Sequence, residues 1–164
     1  MIVINHAAFA LVITSAYAAF CPNGWVPHDD SCYLFSRDKQ MWPVAAAHCA
    51  ALNAQLPIIE TEREDNFLQQ TLRGLHANDR NINHTYYSIG GTDIATETEW
   101  VWAKTHQPFG YTGWGKNEPD SIGDQDCLVM GGPQDFMWND SRCTDLFFFI
   151  CEMKGYEGGD IIGK

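Results

Sequence analysis

The 164-residue sequence predicts a single α+β domain. Helical patterns lie in the first half of the chain, and short β-prone segments separated by Gly, Pro, Asn and Asp fill most of the second half. Hydrophobic residues make up 45% of the chain, which is enough for a packed core and excludes wholesale disorder.

The first elements are predicted to be a strand and an alanine-rich helix. The segment 31–35 is β-prone and follows a turn-rich stretch bounded by cysteines, so we expect a strand there. A helix is predicted to begin near Trp42, because proline, here Pro43, is well tolerated in the first helical turn. Residues 44–52 are alanine-rich and favour its continuation.

The second helix has clearer signals at both ends. It is predicted to begin at Thr61, because Thr61 and Glu64 have the spacing of a capping box. Gly74 lies where this helix should end, and the polar residues 76–84 predict a loop. Apolar residues at helical spacing follow the cap at Phe67, Leu68, Leu72 and Leu75.

The second half predicts short strands around one long loop. The Gly-, Pro-, Asn- and Asp-rich stretch 105–125 is longer than most loops in compact domains, and such loops usually serve function. The Gly-rich residues 155–164 predict a flexible tail. The predicted strands are 86–89, 99–102, 127–130 and 147–151.

Charge and motifs exclude several classes of function. Asp and Glu number 21 against 10 Lys and Arg, a formal net charge of −11. Nucleic acid and anionic membrane surfaces are therefore poor partners, because phosphate binding needs clustered basic residues. The six histidines are scattered and the HExxH, GxSxG and P-loop motifs are absent from the sequence, so no enzyme is predicted.

The N-terminus and the cysteines both predict a secreted, extracellular protein. Residues 1–18 lack Asp, Glu, Lys and Arg and end in small residues in an A-x-A arrangement, which is typical of a cleaved signal peptide; a buried N-terminal helix is the alternative. Six cysteines suit three bridges in an oxidising compartment, although spacing alone leaves the pairing open. The sequence has no CxxC pair, which disfavours zinc, and no heptad or repeat that specifies an oligomer.

A series of motifs resembles the long form of the C-type lectin domain. Cys21-Pro-x-Gly-Trp25 resembles the opening hairpin of that family, and Trp42-x-x-Ala45-x-x-x-Cys49 resembles its first helix. The segment Ser88-Ile-Gly-Gly resembles the WIGL core strand, with Ser88 where Trp is usual. The remaining pieces follow in family order and are Glu99-Trp-x-Trp102, Trp114, Glu118-Pro-Asp120, Trp138-Asn-Asp140 and Phe149-Ile-Cys151-Glu152.

The resemblance implies a fold, a domain range and a disulfide pattern. The fold would have two helices flanking small antiparallel sheets, with a long calcium-binding loop, over residues 19–154. The implied bridges are Cys21–Cys32, Cys49–Cys151 and Cys127–Cys143.

The resemblance also implies a site that binds Ca²⁺ and carbohydrate. Calcium is a hard cation that takes about 6–8 oxygen ligands, and carboxylate and amide side chains supply them. In the family the proline of the Glu-Pro-Asp position is cis, and vicinal sugar hydroxyls complete the coordination of the ion. The residues that the resemblance assigns to both metal and sugar are Glu118, Asp120, Gln125, Asn139 and Asp140.

Two of these positions depart from the family pattern. Glu-Pro-Asn usually accompanies mannose-type sugars and Gln-Pro-Asp galactose-type sugars, whereas this chain has Glu118-Pro-Asp120; Gln125 stands where Glu is usual. The five positions still hold three acids and two amides, as both usual versions do. The sequence therefore predicts calcium binding with an altered arrangement of hydrogen-bond donors, and it leaves the choice between mannose and galactose open.

Alternatives remain for the function and for the neighbouring acids. A calcium-independent, protein-binding domain on the same fold is the alternative function, since fold does not fix function. Isolated acids of this kind are usually solvated loop charges; Asp124 and Asp126 fit either that interpretation or a second calcium ion.

Two glycosylation sequons begin at Asn83 and Asn139. Asn83 lies in a polar loop and is predicted to carry a glycan, whereas Asn139, as an implied ligand, is predicted to be unmodified. The resemblance further implies recognition of microbial glycans in innate immunity.

Overall fold

The computed structural model describes residues 20–156. The predicted signal peptide and residues 157–164 of the predicted tail lie outside this range. Within it, Gly155 N donates to Asp30 O at 2.7 Å, and Tyr156 pairs with Phe20. Of the helices in the described part, none is both long enough and apolar enough to cross a membrane.

Both predicted helices are present, as α1 (Trp42–Ala51) and α2 (Glu62–Leu75). Thr61 caps α2, since its side-chain oxygen accepts from Glu64 N at 3.2 Å. The other half of the predicted capping box differs, because the Glu64 side chain accepts from Glu60 N (3.2 Å) and from Tyr33 OH (2.7 Å). Its carboxylate therefore links the start of α2 to a strand.

Burial changes the acid–base behaviour of Glu64. Its pKa is raised to about 7: burial is the largest cause, the hydrogen bond from Tyr33 acts in the opposite direction, and the charge of Glu152 adds to the rise. Glu64 is thus protonated more readily in the folded chain than in the unfolded chain.

Seven strands form the sheet, and they are β1 (Val26–His28), β2 (Ser31–Phe35), β3 (Tyr86–Thr92), β4 (Val101–Trp102), β5 (Cys127–Gly131), β6 (Met137–Ser141) and β7 (Phe148–Lys154). Along the sheet their order is β1-β2-β7-β3-β5-β6, with β4 paired to β3. Each pair is antiparallel except β3 with β7, which is parallel and joins two antiparallel groups into one seven-stranded sheet.

The three disulfides confirm the implied pairing, Cys21–Cys32, Cys49–Cys151 and Cys127–Cys143. The second bridge joins residues 102 positions apart and fastens α1 to β7. Trp42 provides a further link, since its indole N–H donates to Ile89 O in β3 at 2.8 Å. The apolar helix α1 is thereby held against the sheet.

The long loop predicted at 105–125 is pinned to β6 by Trp138. Gly115 N donates to Trp138 O at 2.8 Å, and Trp138 N donates to Gly113 O at 2.9 Å. The Trp138 side chain is fully buried, and four aromatic rings pack edge-on against it with centroids 5.5–5.8 Å away. The base of the loop is therefore part of the core.

Asp65 is a buried carboxylate that ties α2 to this loop base. It is 2% exposed and accepts hydrogen bonds from Trp138 Nε1 (2.9 Å), Tyr111 OH (3.0 Å) and Gln69 Nε2 (3.0 Å). Burial raises the pKa of Asp65, and these three donors partly offset that rise. Three donors also satisfy a group whose burial would otherwise be costly.

Candidate metal centre

Three carboxylates from separate parts of the chain meet at the end of the long loop. Glu118, Asp120 and Asp140 each offer an oxygen, and these oxygens lie within 4.8 Å of one another. Glu118 and Asp120 flank Pro119 in the loop, and the Glu118–Pro119 peptide bond is cis. Asp140 lies in β6, so the centre joins the loop to the sheet.

Asp140 holds the loop through its side chain. This residue is 1% exposed, and its two carboxylate oxygens accept from Asp120 N at 3.2 Å and from Ser121 N at 2.7 Å. The backbone around Asp120 is therefore shaped by an acid that the sheet positions.

The other two acids each accept a hydrogen bond from a glutamine amide. Gln125 Nε2 donates to Asp120 Oδ1 at 2.6 Å, and Ile122 N donates to the same oxygen at 3.1 Å. Gln134 Nε2 donates to Glu118 Oε1 at 3.1 Å. Gln125 was predicted from the sequence, whereas Gln134 was not, because it lies 16 residues from Glu118 in an element without a sequence motif.

Glu118 has a raised pKa and a buried carboxylate oxygen. Its Oε2 atom is buried and has no hydrogen-bond partner among the described residues. Burial raises its pKa, the carboxyl groups of Asp140 and Asp120 raise it further, and the Asn139 amide acts in the opposite direction. Among residues 20–156 none of the three acids is ion-paired with Lys, Arg or His.

The structure thus brings all five predicted residues together. Three of them supply the carboxylates, Gln125 contacts Asp120, and Asn139 lies close enough to Glu118 to lower its pKa. The ligand set consists of oxygen atoms, the negative charge lacks a basic partner within the described part, and one buried oxygen is unpartnered. These residues fit a hard divalent cation such as Ca²⁺, which binds carboxylate and carbonyl oxygens.

Comparison with known proteins identifies the family of the chain. The family model of the lectin C-type domain matches residues 38–153. The chain belongs to the C-type lectin domain family. CD209 antigen-like protein A of Mus musculus is 34% identical over 136 residues, which cover 80% of this chain and 51% of the relative. The chain thus spans about half the length of such curated relatives.

Solved structures of C-type lectin domains superpose on the chain. The mouse scavenger receptor C-type lectin carbohydrate-recognition domain has a TM-score of 0.70 and 29% identity, with 84% of this chain and 98% of that chain covered. A calcium-independent type II antifreeze protein has a TM-score of 0.71 and 24% identity, over 85% of this chain and 98% of its own, and shows the fold alone. The family consists of non-enzymatic binding domains, in agreement with the prediction that the chain is not an enzyme.

Asp124 and Asp126, which fit either solvated loop charges or a second calcium ion, lie outside the three-carboxylate group. Asp124 is exposed, and the main-chain oxygen of Asp126 accepts from Thr92 Oγ1 at 2.7 Å and from Asp93 N at 3.3 Å. Asp93, which sequence analysis missed, is 2% exposed, and its Oδ1 has no hydrogen-bond partner in the described part. Among residues 20–156, Asp124 and Asp126 do not belong to any group of three potential ligands whose atoms lie within 4.8 Å of one another. The second ion therefore stays a hypothesis.

Proposed function

We propose that this C-type lectin domain binds glycans through one calcium ion held at the candidate metal centre. The observation that carries the proposal is the convergence of Glu118, Asp120 and Asp140 within 4.8 Å without a basic partner in the described part. Like charges at this distance repel, and a divalent cation would turn that repulsion into attraction.

The ligand chemistry supports calcium over other metals. The group of neighbouring potential ligands in the described part consists of three carboxylates and contains no Cys or His. Gln125 and Asn139 would add amide oxygens. Oxygen ligands favour calcium or magnesium, and calcium accepts the larger and less regular set of about 6–8 ligands. When bound, the ion supplies open positions that hydroxyl oxygens of a sugar can fill.

The hydrogen bonds of the centre indicate how a sugar would be recognised. The Gln125 amide donates to Asp120 through Nε2, which carries a second N–H group that a sugar hydroxyl could accept from. The acids accept hydrogen bonds, whereas the Asn139 amide donates, so a vicinal pair of hydroxyls would find both kinds of partner. The mouse scavenger receptor neighbour is a carbohydrate-recognition domain, which supports a sugar as the ligand.

We further propose that the domain acts outside the cell. Three disulfides are typical of oxidising compartments. Asn83 lies exposed in a 3-10 turn (Ile82–His84) and would carry a glycan, whereas Asn139 would stay unmodified because a glycan there would block the ion. Peptide mapping of the secreted protein tests this, and a glycan on Asn139 would contradict the calcium proposal.

The proposal is tested by calorimetric titration of the oxidised domain with calcium, followed by a glycan array in calcium and in EDTA. We expect saturable calcium uptake and sugar retention that EDTA abolishes. The array should contain mannose, galactose and microbial surface glycans, since the sequence leaves specificity open. Equal retention in calcium and EDTA, or binding to a protein only, would favour the calcium-independent alternative.

A further inference from the structure

We propose that Gln134 is a positioning residue of the metal centre, which holds one oxygen of Glu118 and leaves the other available to the cation. This inference rests on the proposed calcium function. The amide of Gln134 bridges Glu118 and the backbone of Lys116, two residues of the same loop.

The orientation of the Gln134 amide is fixed by chemistry. Its Oε1 atom accepts from Lys116 N at 2.6 Å, and a backbone N–H group can only donate. The Nε2 atom must then lie on the other side, where it is 3.1 Å from Glu118 Oε1. If the amide were reversed, its NH2 group would face the N–H donor of Lys116, and its oxygen would face the acceptor oxygen of Glu118.

The position of Gln134 is fixed by the fold. Gln134 ends a 3-10 turn (Gly132–Gln134) that connects β5 to β6, the strand that carries Asp140. The loop backbone packs directly on its amide at Gly115, where an added Cβ would lie 2.7 Å from Gln134 Oε1. A side chain at 115 would therefore displace the amide end of Gln134.

A neutral donor suits this position better than a charged one. Glu118 lies beside Asp120 and Asp140, so its carboxylate needs a donor that holds it in place. A Lys or Arg would form an ion pair and offset the negative charge that attracts a cation, whereas an amide donates without net charge. Because Gln134 engages Oε1, the buried Oε2 is the oxygen without a partner in the described part.

Calcium titration of Gln134→Met tests this role. Methionine keeps the length of the side chain but removes its hydrogen bonds to Lys116 N, Lys116 O and Glu118 Oε1. We expect the Kd for calcium to rise about tenfold, the usual effect of losing one hydrogen bond to a charged group, here Glu118. The matched control is Gln70→Met, at an exposed position on α2, which should leave the Kd within about twofold of the wild type. Melting in EDTA should shift little in both variants, because Lys116 N would be hydrated.

A double-mutant cycle separates positioning of Glu118 from a general effect on the loop. In a Glu118→Asp background the shorter carboxylate no longer reaches Nε2, so Gln134→Met should change the Kd less than about twofold. Gly115→Ala, which displaces an intact Gln134, should weaken calcium binding as Gln134→Met does. An equal effect of Gln134→Met in both backgrounds, or no effect in the wild type, overturns the proposal. A wild-type domain that takes up no calcium overturns the proposed function as well.

Discussion

Replacement of Asp140 by Asn removes one charge from the metal centre while keeping the shape of the side chain. Asp140 is 1% exposed and accepts from Asp120 N and Ser121 N. We expect the charge of Asp140 to contribute to the free energy of unfolding with opposite signs in the absence and in the presence of calcium. In the free protein the carboxylate repels its neighbours, whereas in the loaded protein it would bind the ion.

The structure sets the size of both contributions. Two carboxylates about 4.8 Å apart repel by about 1–3 kcal/mol for effective dielectric constants of roughly 80 down to 20. Asp140→Asn relieves this repulsion toward both Glu118 and Asp120, but it weakens two backbone hydrogen bonds, each by about 1–3 kcal/mol. These terms nearly cancel, so the free energy of unfolding in EDTA should change little.

Calcium should stabilise the wild type more than Asp140→Asn. At a free calcium concentration of about 100 times the Kd, binding stabilises the native wild type by about 2.7 kcal/mol. For a domain of this size that corresponds to a rise in Tm of about 10 °C, whereas the variant should rise by less than about 3 °C.

The assay is thermal unfolding followed by circular dichroism, in EDTA and across a calcium series. Asp145→Asn is the matched control, since Asp145 lies five positions further on and pairs with Arg142 at 3.5 Å on the surface. The control should keep the full calcium-dependent rise. Equal calcium-induced rises in the wild type and Asp140→Asn would refute the assignment of Asp140 to the site.

Three further predictions concern stability. The pKa of Glu64, raised from 4.5 to about 7, means that its stabilising contribution is complete below pH 4.5 and is lost as the pH rises through 7. Urea unfolding of the wild type from pH 4.5 to 8 should therefore show a loss of about 1–3 kcal/mol that Glu64→Gln lacks; parallel pH curves would contradict this. Asp65→Ala should lower the free energy of unfolding by about 3–5 kcal/mol, because it leaves the buried Trp138 N–H without an acceptor, and urea unfolding followed by tryptophan fluorescence measures it. Replacing Cys49 and Cys151 by Ala together should cost about 3–5 kcal/mol in the same assay, since their bridge closes a loop of 102 positions; a cost below about 1 kcal/mol would contradict the chain-entropy argument.

Local signals in the sequence predicted the regular elements of the fold well. The cap at Thr61 and the apolar spacing after it predicted α2, and the structure begins the helix one residue later, at Glu62. The strand β6 (Met137–Ser141) was not predicted, because its Asn-Asp-Ser segment has poor strand propensity. Antiparallel pairing with β5 overrides that propensity, and such pairing cannot be read from a local window.

The candidate site was predictable in its members and not in its hydrogen bonds. Glu118, Asp120 and Asp140 could be named because their residue types and order resemble a family motif. Gln134 and Asp65 could not be named, since each contacts its partner across 16 or more positions and belongs to no motif. Long-range hydrogen bonds depend on how loops pack, which composition and periodicity do not encode.

The sequence by itself determined the chemistry that is available: an acidic chain with six cysteines, two helices with defined starts, and oxygen-bearing side chains in two separate stretches. Only the tertiary structure decided which of these oxygens meet, which amide holds each acid and which oxygen stays without a partner. The physical reason is that residue types fix which bonds can form, whereas the distances and orientations that select among them arise from the sheet, the disulfides and the packing around Trp138.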